Sequence, residues 1–179
     1  MVIGMNIDDI FAEIILNKDE QQIVDLAKKE VMTAPLLITQ MLENSDIKSE
    51  SVLIKFSEQS PLLLYPYFTY IAQASERYNN VIAWNSWKII ANLLIVDYLD
   101  LWQDIKERYF KTFESELITE VLNSISVAKT IIDCKPDDKD TILRLIRKCG
   151  DNNYTICDEP APHINTVAKQ AIDEFFNNL

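Results

Sequence analysis

Residues 79–97 read NNVIAWNSWKIIANLLIVD, and the fold class turns on what must surround this stretch. Asn79 or Asn80 suits a helix N-cap, because a short polar side chain there accepts from the free N–H groups of the first turn. Inside the span the polar residues are Asn85, Ser86, Lys88 and Asn92. Asn85, Lys88 and Asn92 recur at i, i+3 and i+7, so they share one narrow stripe of a helix. Val81, Ile82, Trp84, Trp87, Ile89, Ile90, Leu93, Leu94 and Val96 cover the rest of the cylinder. A helix this apolar must be covered by neighbours or lie in a bilayer. The polar interruptions leave it short of the roughly 20 apolar residues that a bilayer demands. The stretch therefore predicts a buried helix with other helices on at least two sides.

Helical spacing continues in both directions. Toward the N-terminus, Ile7, Ile10, Phe11, Ile14 and Ile15 predict a helix over 7–16, and Ile23, Val24, Leu26, Ala27 and Val31 another over 20–32. Thr33-Ala34-Pro35 opens the next, with proline in the first turn where its missing N–H does no harm, and Asn44-Ser45-Asp46 closes it. Residues 47–59 form another. Ser60 as cap and Pro61 at the first position mark a further start, and Pro66, one turn in, loosens that helix. Beyond Asp97, helices are expected over 101–113, over 115–133, from Pro136 to about Cys149, and over about 161–176. Gly150 serves as a helix terminator, and 151–162 is the one long connection. No segment sustains a period of two, so no sheet is predicted.

Composition narrows the function classes. The chain has 179 residues, 48% of them apolar and 25% charged, enough for a sizeable core in one domain. Only Gly4 and Gly150 supply glycine, whereas hairpins and phosphate loops rely on it for positive φ. The formal charge of −11 argues against a general binder of DNA, RNA or anionic membranes, which needs a basic footprint. Cys134, Cys149 and Cys157 are odd in number and lack a Cys-x-x-Cys pair, which argues against a disulfide framework or structural zinc. The N-terminus carries no basic region ahead of an apolar core, so a cytoplasmic location is the default expectation.

Alternate helices look alike. Ile47, Ile82, Ile118 and Ile164 stand near the starts of every second one, at spacings in the range of two-helix repeats. Such pairs cannot hide their apolar faces alone, and stacked neighbours share one core. The run from Ser57 to Tyr67, the stretch Asn79-Asn80-Val81-Ile82-Ala83-Trp84, and Ile90-Ala91-Asn92-Leu93 with its Ala-x-Leu ending resemble HEAT-repeat proteins. They are similar in particular to small bacterial members of the ARM-type superhelical fold without assigned chemistry. The likeness is good over about residues 45–100 and loose elsewhere. It implies a right-handed α-α superhelix of about five helix pairs, used as a curved binding surface, with no catalytic residues to carry over.

Candidate chemistry is sparse. Cys157 and His163, the only histidine, share a connection, but nothing in their spacing supplies an orienting third group. Asp133, Asp137, Asp138 and Asp140 read as a solvated helix start, with Arg144, Arg147 and Lys148 suiting its far end. Trp84, Trp87, Trp102, Tyr65, Tyr67 and Phe68 read as core. The stripe Asn85, Lys88 and Asn92 is more informative. Shifted by about 35 residues, it meets Glu50 and Ser57 in the preceding repeat and Glu120 and Asn123 in the following one. These seven residues are expected to line one wet groove. The expected function is a non-enzymatic module that receives a protein or peptide, a basic segment fitting the charge, with no cofactor or metal. The alternatives are a relative of the HEAT-like DNA alkylpurine glycosylases, or a structural protein that self-associates through uncapped end repeats.

Overall fold

The computed structural model describes residues 17–76, 80–156 and 159–179. The helix expected over 7–16 and Asn79 as a cap lie outside the described residues. The remainder is all-α. In chain order come α1 (Glu20–Ala27), α2 (Thr33–Asn44), α3 (Ile47–Gln59), α4 (Pro61–Leu64), α5 (Phe68–Ala74), α6 (Asn80–Leu93), α7 (Trp102–Thr112), α8 (Ile118–Cys134), α9 (Lys139–Lys148) and α10 (Asn165–Asn177). Short 3-10 turns continue several of them, at Leu94–Val96 after α6 and Cys149–Asp151 after α9.

Local chemistry explains most of the boundaries. Asp19 accepts from the Gln22 amide while the Gln22 side chain reaches back to the Asp19 N–H, a reciprocal cap that starts α1. The Asp46 carboxylate accepts from the Ser49 amide at the start of α3. Pro66 converts Tyr65–Tyr67 into a 3-10 turn that divides α4 from α5, as expected of a ring that fixes φ and removes a donor.

Other expectations need correction. Ser60 makes no side-chain cap bond, its backbone lying at φ −149, ψ 57. α1 stops at Ala27 because Lys29 and Glu30 both turn their amides onto the Leu26 carbonyl, which leaves Val31 78% exposed. Gly150 is not a left-handed terminator. It is buried in a 3-10 turn, and a Cβ there would meet Ile172 Cδ1 of α10 at 3.2 Å. The 151–162 connection, expected to hold no strand, pairs β1 (Thr155–Ile156) antiparallel to β2 (Glu159–Pro160). Thr155 also donates to the Glu116 carbonyl and Ala161 to that of Tyr154. A connection packed on the core through fully buried Tyr154 must place its backbone polar groups somewhere, and this ladder places them.

The helices alternate between two sets of contacts. α1, α3, α6, α8 and α10 each pack on the next in that order. α2 packs on α3, α5 on α6, and α7 and α9 on α8. α6 thus meets α3, α5 and α8 and buries Ile82, Trp87, Ile89, Ile90 and Leu93 almost completely. Among the described residues this gives four helix pairs plus α1. One apolar cluster runs from Ile23 to Ile172. Its centre is aromatic: fully buried Tyr109 lies against Trp87, Trp102, Phe110 and Phe113 at ring separations of 5.2–6.3 Å, contacts worth about 0.5–1.5 kcal/mol each beyond the area they bury.

Candidate functional site

The polar stripe of α6 faces α3. Asn85 Nδ2 donates to Glu50 Oε2 at 2.6 Å, and Asn92 Nδ2 donates to Ser57 Oγ at 2.9 Å. Each pair is 35 residues apart in sequence, and the two bonds lie two turns apart on both helices. α3 and α6 therefore run in the same direction, in register. The Ser57 hydroxyl in turn donates to the Ile54 carbonyl at 2.6 Å.

The seven residues expected to line a groove fall into three groups. Glu50 and Ser57 are buried, 2% and 0% exposed, and reach Asn85 and Asn92 rather than open solvent. Burial pushes the Glu50 carboxyl above its ordinary range, the Asn85 bond opposes that shift, and the Asp46 charge adds to it. Asn85, Lys88 and Asn92 are half-buried on α6, with Asn85 and Asn92 along its seam with α3, and Lys88 has no ion pair among the described residues. Glu120 and Asn123 are half-buried on α8, but Asn123 donates to Thr119 of its own helix at 2.7 Å. Buried Ser124 supplies a polar link from α8 to α7: its hydroxyl donates to Thr112 Oγ1 at 2.6 Å and lies 2.9 Å from the Glu120 carbonyl. The 35-residue shift thus pairs α3 with α6, while neither Glu120 nor Asn123 makes a side-chain bond to α6 among the described residues. The outer positions of these three helices carry charges of both signs, among them Lys55, Glu58, Lys88, Lys129 and Asp133.

A second polar cluster escaped the sequence reading. Asp97, its side chain 1% exposed, accepts from Tyr65 Oη at 2.6 Å, from the Leu101 amide at 2.9 Å and from the Trp102 amide at 3.2 Å. Lys135 Nζ lies 2.7 Å from the same carboxylate and 2.8 Å from that of Asp100. Burial raises the Asp97 carboxyl, but Lys135, Tyr65 and the two amides outweigh it and hold it below its ordinary value. The same surroundings push Tyr65 to about 12, by burial first and then by its bond to the carboxylate. The signal was present in outline: Lys135 and Asp100 are also 35 residues apart.

Asp138 requires a correction of the same kind. It is buried, not solvated, and accepts from Trp102 Nε1 at 2.7 Å and Lys106 Nζ at 3.2 Å. Asp133, Asp137 and Asp140 are exposed. Arg147 stacks its guanidinium 4.5 Å from the Phe176 ring centre. Trp87, Trp102, Tyr65 and Phe68 are core, while Trp84 and Tyr67 are half-buried.

Among the described residues are three clefts of several hundred Å³. A charged one of about 540 Å³ lies between α7 and α9, over Phe110 and beside Lys111 and Arg144. One of about 400 Å³ lies between α2 and α5, at Leu42, Tyr67 and Tyr70. One of about 370 Å³ lies between α8 and α10, at Leu122 and Phe175. None is lined by the seven residues. Cys157 lies outside the described residues and His163 is exposed. Cys149 is buried, its thiol donating to the Ile146 carbonyl and pushed up to about 11 by burial. Among the described residues, no group of three or more His, Cys, Asp or Glu could hold a metal ion, and no helix is long and apolar enough to cross a membrane. Comparison with protein-family models, curated proteins and solved structures found no match for this chain.

Proposed function

We propose that the chain is a HEAT-like stack of helix pairs, wound as a right-handed superhelix, that binds a protein or peptide along the face formed by α3, α6 and α8. The observation that carries this reading is the regular separation of its inter-helix side-chain bonds. Asn85–Glu50 and Asn92–Ser57 span 35 residues, Trp102–Asp138 and the Arg108 bond to the Ala72 carbonyl span 36, and Ser51–Glu20 spans 31. A side chain that repeatedly finds its partner one helix pair away is what stacking of similar units produces. Stacking leaves one helix of each pair on a continuous face, and here that face carries half-buried Trp84, Asn85, Lys88 and Asn92 at its middle. Half-buried aromatic and amide side chains suit recognition of a chain segment. The overall charge of −11 favours a basic segment through long-range attraction.

The test is selection from a displayed random-peptide library, followed by substitutions on two faces. Selected peptides should be enriched in Lys and Arg. Lys88→Glu should tighten their binding several-fold and Trp84→Ala should weaken it, while Glu107→Ala on α7 leaves it unchanged. Binding that responds to Glu107 and ignores Trp84 and Lys88 would overturn the assignment of the face. Release of alkylated bases from DNA by the full chain would overturn the non-enzymatic reading.

A further inference from the structure

Thirteen large apolar side chains are markedly exposed among the described residues, and seven of them sit on just three connections. Val31 and Met32 lie between α1 and α2, Leu62 and Leu63 at the start of α4, and Ile95, Tyr98 and Leu99 between α6 and α7, each 51–78% exposed. These three connections all lead from a helix of the α1–α3–α6 row into the next pair. Because α3 and α6 run in the same direction, such connections fall on one edge of the stack, and the contacts bear this out. Val31 and Leu63 line a common cleft. α4 packs against the Leu94–Val96 turn. The Tyr65 ring lies 4.6 Å from that of Tyr98, and the Leu99 amide donates to Tyr65 Oη.

We infer that this edge is the contact surface between two copies of the chain. Seven side chains at on the order of 100 Å² each offer roughly 700 Å² of apolar surface. That exceeds the ~300–600 Å² of the largest patch on a typical monomer and approaches the ~800 Å² that each partner contributes to a standard interface. Charge selects the occupant. The charged side chains of the three connections are Lys28, Lys29, Glu30, Asp97 and Asp100, and Lys135 reaches across to pair with both aspartates. With Asp25, which pairs with Lys28, three cations stand against four anions, close to balance. A chain of net charge −11 repels its own copies in general, and this edge is a place where two can meet without opposing like charges. A nearly neutral edge has little to attract a charged partner, and it lacks the basic cluster that draws a protein to anionic lipid. A two-fold contact also needs a surface that complements itself, and an apolar ridge flanked by nearly balanced charges meets that need. The contact leaves the α3–α6–α8 face free, so it stands independently of the function proposed above.

Sedimentation velocity on the full chain, over a wide concentration range, tests this. The wild type should pass from monomer to dimer, and the dimer should strengthen several-fold with added salt as the net repulsion is screened. Leu62→Asp with Leu99→Asp places four carboxylates in a two-fold contact and should weaken the dimer at least a hundredfold. Ile47→Asp with Leu117→Asp, exposed positions on the opposite edge at helix starts that accept Asp, should leave it intact. Circular dichroism and thermal melting of each variant should match the wild type. A monomer at every concentration, a dimer that ignores Leu62 and Leu99, or a dimer broken from the opposite edge would each overturn the inference. So would a monomer that co-floats with phosphatidylcholine vesicles, which would assign the edge to a lipid surface.

Discussion

Asp97→Ala is the substitution with the largest consequence that the structure lets one work out. The carboxylate is almost wholly buried and accepts from four donors: Tyr65 Oη, the amides of Leu101 and Trp102, and Lys135 Nζ. The donors do not suffer equally when it is removed. Lys135 keeps Asp100 at 2.8 Å, on the more exposed side, so its charge is not stranded. The start of α7 loses the acceptor for two amides, a cap worth about 1 kcal/mol. The hydroxyl of Tyr65, a residue only 1% exposed, loses the acceptor for its proton, at a cost of about 1–3 kcal/mol. With about 1 kcal/mol for the lost attraction to Lys135, whose charge Asp100 still partners, the total is about 3–5 kcal/mol. Against a whole-chain stability of about 5–15 kcal/mol this is severe, and at about 2–4 °C per kcal/mol for a chain of this size the melting point should fall by roughly 6–20 °C.

The pH dependence has a definite sign. The folded Asp97 carboxyl is held below its ordinary value. Its contribution is therefore fully present above the ordinary aspartate range and is lost as pH falls through the lower folded value. Urea titrations of wild type and Asp97→Asn at several acidic pH values should show a shallower acid limb in the variant, which keeps acceptor geometry and has no proton to take up. A loss of less than about 1 kcal/mol in Asp97→Ala, with an unchanged denaturant slope, would refute the idea that this carboxylate fastens neighbouring helix pairs.

Three other outcomes follow from the same packing. Glu50→Gln should be neutral or stabilising near pH 7, because the folded carboxyl is raised by burial; its favourable contribution exists at low pH and is lost as pH rises through the raised value, so chemical denaturation should show the wild type alone gaining relative stability on mild acidification. Trp102→Phe removes the bond to Asp138 and opens space in the aromatic centre, and should cost about 2 kcal/mol or more by the same measurement. Gly150→Ala should change stability by less than about 1 kcal/mol, since φ is not positive there and the Ile172 methyl at 3.2 Å can shift; a loss above about 3 kcal/mol would mean that α10 cannot yield.

Much of the fold is legible in the sequence because apolar periodicity and capping chemistry are local. The helix over 47–59 appears with those bounds, and Pro66 divides its helix where a proline ring must. The register of α3 against α6 is also legible, since a 35-residue shift brings Asn85 to Glu50 and Asn92 to Ser57. Their burial is not. Spacing shows which residues share a stripe, but not whether the stripe faces water or a neighbour, and here it lies along the seam between two helices. Asp97 and Asp138 were missed for a related reason. A carboxylate in a loop or at a helix start reads as solvated until the donors around it, Tyr65 and Lys135 or Trp102 and Lys106, are brought in from other helix pairs. Val31 shows the reverse error. Its helical spacing is sound, yet the chain turns at Lys28 and leaves the side chain outside.

The claim on which this account rests is that the pairs are laid out in a line, each touching only its neighbours. Spin labels at Asp25 on α1, Ser126 on α8 and Asp173 on α10, all exposed, measure this by pulsed electron–electron double resonance. With neighbouring helix axes about 8–10 Å apart, α1 to α8 spans three steps, roughly 24–30 Å, and α1 to α10 four steps, roughly 32–40 Å before curvature. In a linear stack the Asp25–Asp173 distance exceeds the Asp25–Ser126 distance. A shorter Asp25–Asp173 distance, as in a closed bundle whose first and last helices meet, would contradict it.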